Sequence, residues 1–117
     1  MTAMSSNILE NSSVLSVVNR ALKELRSDPK NPRIHSEKQI RQIARSMEIF
    51  GFNVPVLIDG QKQIIAGHGR VEAARLLKLQ QIPTISLKHL TESQVRAFMI
   101  ADNRLTENAT SAALDRR

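Results

Sequence analysis

The stretch from Val54 to Leu77 constrains the fold of this chain more than any other. It opens with a short apolar run (Val54 to Ile58), turns at Asp59-Gly60, and resumes as a second run from Gln63 to Ala66. Asp-Gly between two apolar runs is a strong hairpin signal. Gly67-His68-Gly69-Arg70 follows, and then Val71, Ala74 and Leu77 recur at helical spacing. A hairpin that delivers its second strand through a glycine-bearing corner into a helix excludes both an all-helical bundle and an all-β sandwich.

The segments on either side agree with a mixed α+β architecture. Ser36-Glu37-Lys38-Gln39 reads as a capping box, in which the serine hydroxyl takes the Gln39 amide and the Gln39 side chain reaches back. Ile40, Ile43, Ala44, Met47 and Phe50 then fall on one helical face, and Gly51 is a natural stop. Ile82 to Leu87 is a further strand, placed by Pro83 at an edge or entry position. Thr91-Glu92-Ser93-Gln94 is a second capping box, opening a helix that turns Val95, Phe98 and Met99 inward and ends around Asn103 to Leu105. Val14 to Leu25 is ambiguous: its apolar residues keep helical spacing, yet Val14 to Val18 is a β-branched cluster suited to a strand. The segment stops at Asp28-Pro29, and Asn31-Pro32-Arg33 continues as extended loop, because a residue before proline avoids the α region. Residues 1–12 are read as disordered, residues 13–108 as the folded domain, and residues 109–117 as a tail or truncated linker.

Composition narrows the chemistry. The chain has 117 residues, one domain's length, and contains no cysteine, which removes disulfides, thiolate metal sites and a cysteine nucleophile. Three Phe and no Trp or Tyr leave an aliphatic core and no aromatic platform for stacking exposed bases. No apolar run approaches the roughly 18 residues of a membrane span, and no signal-peptide pattern opens the chain. A soluble, cytoplasmic protein is expected. The net charge of +6 is concentrated: between Arg20 and Met47 eight Lys or Arg face three acidic residues, a net of +5. Such a field draws in nucleotides or nucleic acid, or only keeps the surface solvated. Arg41 and Arg45, one turn apart opposite the Ile40/Ile43 face, are candidates for DNA phosphates or another anion. His35 and His89 lack a second ligand at zinc spacing and are expected at the surface.

The Gly67–Arg70 corner carries the chemistry. A strand, two glycines and a helix start present outward-pointing amides backed by the positive end of the helix dipole, an arrangement suited to phosphate. Arg70 adds a guanidinium fork and His68 a further donor. The corner is neither a Walker loop nor a dinucleotide fingerprint, since the Lys of the first and the third glycine of the second are absent.

Asn31-Pro32-Arg33, the stretch IIAGHGRVEAARLL and the terminal ADNRLTENA, in this order, resemble the ParB family in its ParB/sulfiredoxin-like N-terminal domain, also called the ParB-like nuclease domain. The likeness covers about residues 14–110 and is nearest to the branch found in phage and plasmid proteins and beside DNA methyltransferases. It implies a small mixed sheet with helices packed around it. It also implies a site for CTP or another nucleoside triphosphate with Mg2+, with Gly67, His68, Gly69, Arg70 and Arg33 on the phosphates and Asp102 and Asn103 near the metal. The glutamate and first arginine of the family's phosphate motif are replaced here, and Thr106 stands where a further arginine is usual. The sulfiredoxin branch keeps a cysteine where this chain has His68, so sulfinate chemistry is excluded.

The resemblance thus points to a nucleotide-binding switch module of a DNA-associated protein of partition, transcription or DNA modification, located at the nucleoid. Its partners would be nucleotide, DNA (nonspecifically or through a partner domain) and a second copy of itself. Weak nucleoside triphosphatase activity would fit it. One alternative is a metal-dependent nuclease or phosphoryl-transfer domain, for which Asp102, Glu72 and Glu107 are the nearby carboxylates. Another is a basic DNA-binding accessory domain that needs no nucleotide. No second domain able to read a DNA sequence follows Asn108, so the chain is expected to be a fragment or a short family member.

Overall fold

The computed structural model describes residues 15–27 and 35–115, excepting the side chains of residues 103 and 106–115. Four strands and three helices alternate along it: β1 (Val17–Ala21), α1 (Glu37–Phe50), β2 (Val56–Ile58), β3 (Ile64–Ala66), α2 (His68–Leu76), β4 (Gln81–Ser86) and α3 (Glu92–Asp115). A single turn of 3-10 helix, Leu22–Glu24, follows β1. The ambiguous N-terminal segment is therefore a strand. The chain divides into two compact units, residues 1–87 with the whole sheet and residues 88–117 with α3.

The strands form one mixed sheet in the order β1-β4-β2-β3, with β4 antiparallel to β1 and parallel to β2. Parallel neighbours need a crossover, and here it consists of β3 and α2 together. Val56, Ile58, Ile64 and Ile82 share the sheet face that meets Leu22, Leu25, Val71 and Ala74 in a single buried cluster, with Met47 and Phe52 packed against its margin. The cluster is almost wholly aliphatic, as the composition requires. Its one polar neighbour, the fully buried Thr84, donates its hydroxyl to the Val18 carbonyl across the β1–β4 pair (2.8 Å), which removes the cost of an unmade bond.

Both capping boxes form. Ser36 and Gln39 exchange side-chain and backbone bonds at 3.2 Å, and Thr91 and Gln94 do the same at 2.9 and 3.2 Å. The hairpin also forms, but it is longer than Asp59-Gly60 suggests. Asp59 N donates to Gln63 O (2.9 Å), the Asp59 carboxylate accepts from the Gln61 and Gln63 amides, and the left-handed residue is Lys62 (φ +66°) rather than Gly60. Arg26 then bridges Gln63, with Ile64 N donating to Arg26 O (2.8 Å), so the chain after β1 covers part of the β3 edge.

Two expectations fail, and a third is settled between its alternatives. Phe50 does not join the inward face of α1: it is 70% exposed, because Phe52, just past the Gly51 stop, takes its place against the core. Of the edge and entry positions open to Pro83, the structure takes entry, since β4 lies between β1 and β2. Pro83 is tolerated because β2 pairs with β4 only from Thr84 onward, opposite Val56. α3 does not stop near Leu105 but continues to Asp115, through a stretch with three alanines and neither glycine nor proline to break it.

α2 ends in a Schellman turn, with Leu79 N donating to Ala74 O and Lys78 N to Arg75 O, both at 3.0 Å. The left-handed position is held by Lys78 (φ +59°), where glycine would carry no steric penalty. Lys78→Gly is expected to raise the stability by about 1 kcal/mol, read as a higher urea midpoint at unchanged slope. An unchanged or lower midpoint would show that the turn gains nothing from the missing Cβ.

Candidate functional site

The corner between β3 and α2 is built by two glycines with different duties. Gly67 caps α2 in a left-handed conformation (φ +104°, ψ 23°) and supplies no side chain to the helix end. A Cβ there would lie 3.0 Å from Nη2 of Arg70 and 3.2 Å from Cγ2 of the fully buried Val56. Both the backbone angle and the space restrict the position to glycine. Gly69 is buried in the first turn of α2, and its Cβ would fall 2.9 Å from Cδ1 of Ile43 and 3.3 Å from the His35 ring. What the structure shows for Gly69 is thus close approach of α1 to α2.

That contact makes a prediction. Gly69→Ala should destabilise by about 1–3 kcal/mol through overpacking, although alanine favours the helix by about 1 kcal/mol. Adding Ile43→Val removes the obstructing methyl, so the double variant should be more stable than the sum of the two single costs. Additive losses in chemical denaturation would contradict the close approach.

Arg70 occupies the first turn of α2 and turns back across the helix start. Its Nη2 donates to the Pro55 carbonyl (3.3 Å) and lies against Gly67, and the residue is half-buried rather than directed into bulk water. No acidic residue stands in that first turn. A cation beside the positive end of a helix dipole is unfavourable by about 0.3–1 kcal/mol, and a bound anion reverses the sign. His68 is half-buried at the first helical position. His35, expected at the surface, is half-buried with its ring beside Gly69, so it belongs to this corner. Nothing local foretold this, since the approach of α1 to α2 is tertiary. His89 is exposed, as expected.

Arg33 lies outside the described residues, as do the side chains of Asn103 and Glu107. Asp102 is half-buried on α3, in the second unit. Among the described residues no three His, Asp or Glu side chains are grouped to hold a metal ion. Glu72 pairs with Arg75 at 2.6 Å. Arg41 and Arg45 are exposed on α1, and Arg41 makes a 3.8 Å ion pair with Glu37 whose partners are 66% and 91% exposed, a contact worth little in water. Among the described residues no helix is long and apolar enough to cross a membrane.

Comparison with known proteins identifies the architecture. Residues 6–104 match the ParB N-terminal domain. The ParB-like nuclease domain-containing protein YnaK of Escherichia coli K12 is 48% identical over 80 residues, which are 68% of this chain and 92% of YnaK. Among solved structures, the C-terminally truncated chromosome-partitioning protein ParB from Caulobacter crescentus complexed with CTP-gamma-S superposes with a TM-score of 0.66 at 24% identity, over 75% of this chain and 52% of that one. Sulfiredoxin from Arabidopsis thaliana superposes with a TM-score of 0.60 at 21% identity, over 70% of this chain and 94% of its own. The curated chromosome-partitioning proteins are longer, and the matched part spans about a quarter to a third of their length. The mixed four-stranded sheet, the glycine corner and the match over most of the sequence lead to one assignment: the chain belongs to the ParB N-terminal domain family.

Proposed function

We propose that the Gly67–Arg70 corner binds the phosphates of a nucleoside triphosphate with Mg2+, CTP in the first instance, and that the domain serves as a nucleotide-responsive module of a DNA-associated protein at the nucleoid. One observation carries this reading: the Arg70 guanidinium is held back over the start of α2 by the Pro55 carbonyl, at a helix end without an acidic first turn. The missing Cβ at Gly67 lets the Arg70 guanidinium lie against the helix start, where a phosphate would meet it. The fold likeness to a ParB crystallised with CTP-gamma-S supports the choice of ligand. Arg33 would join the phosphates, and Asp102 with Asn103 would stand near the cation. Nucleotide would act by favouring one arrangement of the domain over another, and so self-association or DNA engagement through the exposed Arg41 and Arg45.

A thermal-shift panel of CTP, ATP and GTP, each with Mg2+, tests the proposal. A ligand at 100 times its Kd stabilises by about 2.7 kcal/mol. Spread over a domain of this size, that is a rise in Tm of roughly 10 °C. CTP should produce the rise. If no nucleotide moves the midpoint at millimolar concentration, the corner is only a structural turn.

A further inference from the structure

A shallow cleft lies at the other end of α2. Nine residues at about 1.5 Å each separate it from the Gly67 corner by roughly 13 Å along the helix. The cleft has a volume of about 660 Å3 and is lined by Leu22 and Lys23 from the 3-10 turn, Arg75 from the last turn of α2, and Leu79, Gln80 and Gln81 where the chain passes into β4. Ligand sites for small molecules run from about 300 to 1,000 Å3, so the volume admits a compact organic molecule.

The lining is specific in kind. Leu22, 8% exposed, and Leu79 supply the apolar surface. Two cations and two side-chain amides supply the polar one, and no carboxylate lines the cleft. The backbone around it is already satisfied: Leu22 N donates to Gln80 O (2.9 Å), and the Schellman turn occupies the Ala74 and Arg75 carbonyls. Recognition therefore falls to side chains. Arg75 spends only Nη1 on Glu72 (2.6 Å), an ion pair that orients the guanidinium while four of its five N–H donors can serve another acceptor. Lys23 makes no ion pair among the described residues.

The geometry points to a binding site for a small organic anion, a phosphate or carboxylate carried on an apolar body. Its acidic group lies between Lys23 and Arg75, its body rests on Leu22 and Leu79, and Gln80 and Gln81 bond its remaining polar edge. This site is separate from the phosphate corner and does not depend on it.

The test is titration of the 15N-labelled chain, followed by amide shifts, with three probes: phenyl phosphate, benzyl alcohol for the apolar body alone, and inorganic phosphate for the charge alone. Phenyl phosphate should give saturable shifts at Leu22, Lys23, Leu79, Gln80 and Gln81, with an affinity at least tenfold above either control. Lys23→Gln combined with Arg75→Gln should weaken it at least tenfold while the rest of the spectrum stays that of the folded domain. Both residues are exposed, so folding should survive their replacement. Phenyl phosphate binding no tighter than inorganic phosphate, or equally tight in the double variant, would overturn the proposal. Shifts confined to Gly67 through Arg70 would also overturn it, and would leave the nucleotide reading intact.

Discussion

Replacing Gly67 by alanine is expected to cost about 2–3 kcal/mol and to lower Tm by roughly 10 °C. The cost has two sources. At φ +104° an L-residue lies outside its comfortable backbone region, and the new Cβ would press on Cγ2 of Val56, a residue fully buried in the sheet, and on the Arg70 guanidinium. Val56 cannot retreat without disturbing its pairing opposite Thr84. Arg70 can retreat, and in doing so it would lose the Pro55 carbonyl. The alanine variant should therefore lose nucleotide-induced stabilisation as well as intrinsic stability. Chemical denaturation with and without CTP and Mg2+ measures both. A variant within 0.5 kcal/mol of the parent would mean that the corner relaxes freely and that its shape is not imposed by the core.

Arg70→Ala should separate binding from folding more cleanly. In the absence of ligand it removes the hydrogen bond to the Pro55 carbonyl, about 1 kcal/mol, and relieves an unfavourable charge at the helix start, two effects of opposite sign. In the presence of saturating CTP it should abolish the rise of roughly 10 °C expected of the parent. Arg70→Lys, which keeps the charge but loses the planar fork, should retain only part of that rise. The informative quantity is the difference between the liganded and unliganded midpoints in each variant. Equal rises in parent and alanine variant would remove Arg70 from the site, whatever the nucleotide does elsewhere.

The legible parts of this protein are those decided within a few residues. The two capping boxes, the Gly51 stop and the Asp59 turn all depend on contacts spanning two to four positions, and all of them form. Phe50 was illegible because its helical phase is correct, and only the competing Phe52 excludes it from the core. Pro83 left edge and entry positions open for a similar reason. The rule against proline in interior strands concerns a missing donor, and where β2 begins decides whether any acceptor is left waiting. At the site, the residue types of the corner could be read directly. The contact of His35 with Gly69 could not, because the two are far apart in sequence and meet only when α1 packs on α2.

Residue order alone determined that strands and helices alternate here, where most of them start, and that a glycine corner with a nearby arginine precedes α2. Those outcomes follow from backbone angles, short-range hydrogen bonds and the period of apolar residues. The tertiary structure decided which strand lies in the middle of the sheet and which aromatic is covered. It also decided that Gly69 serves helix packing and that Arg70 folds back onto Pro55. Each of these depends on which surfaces compete for the same buried volume, and that competition exists only once the elements are packed together.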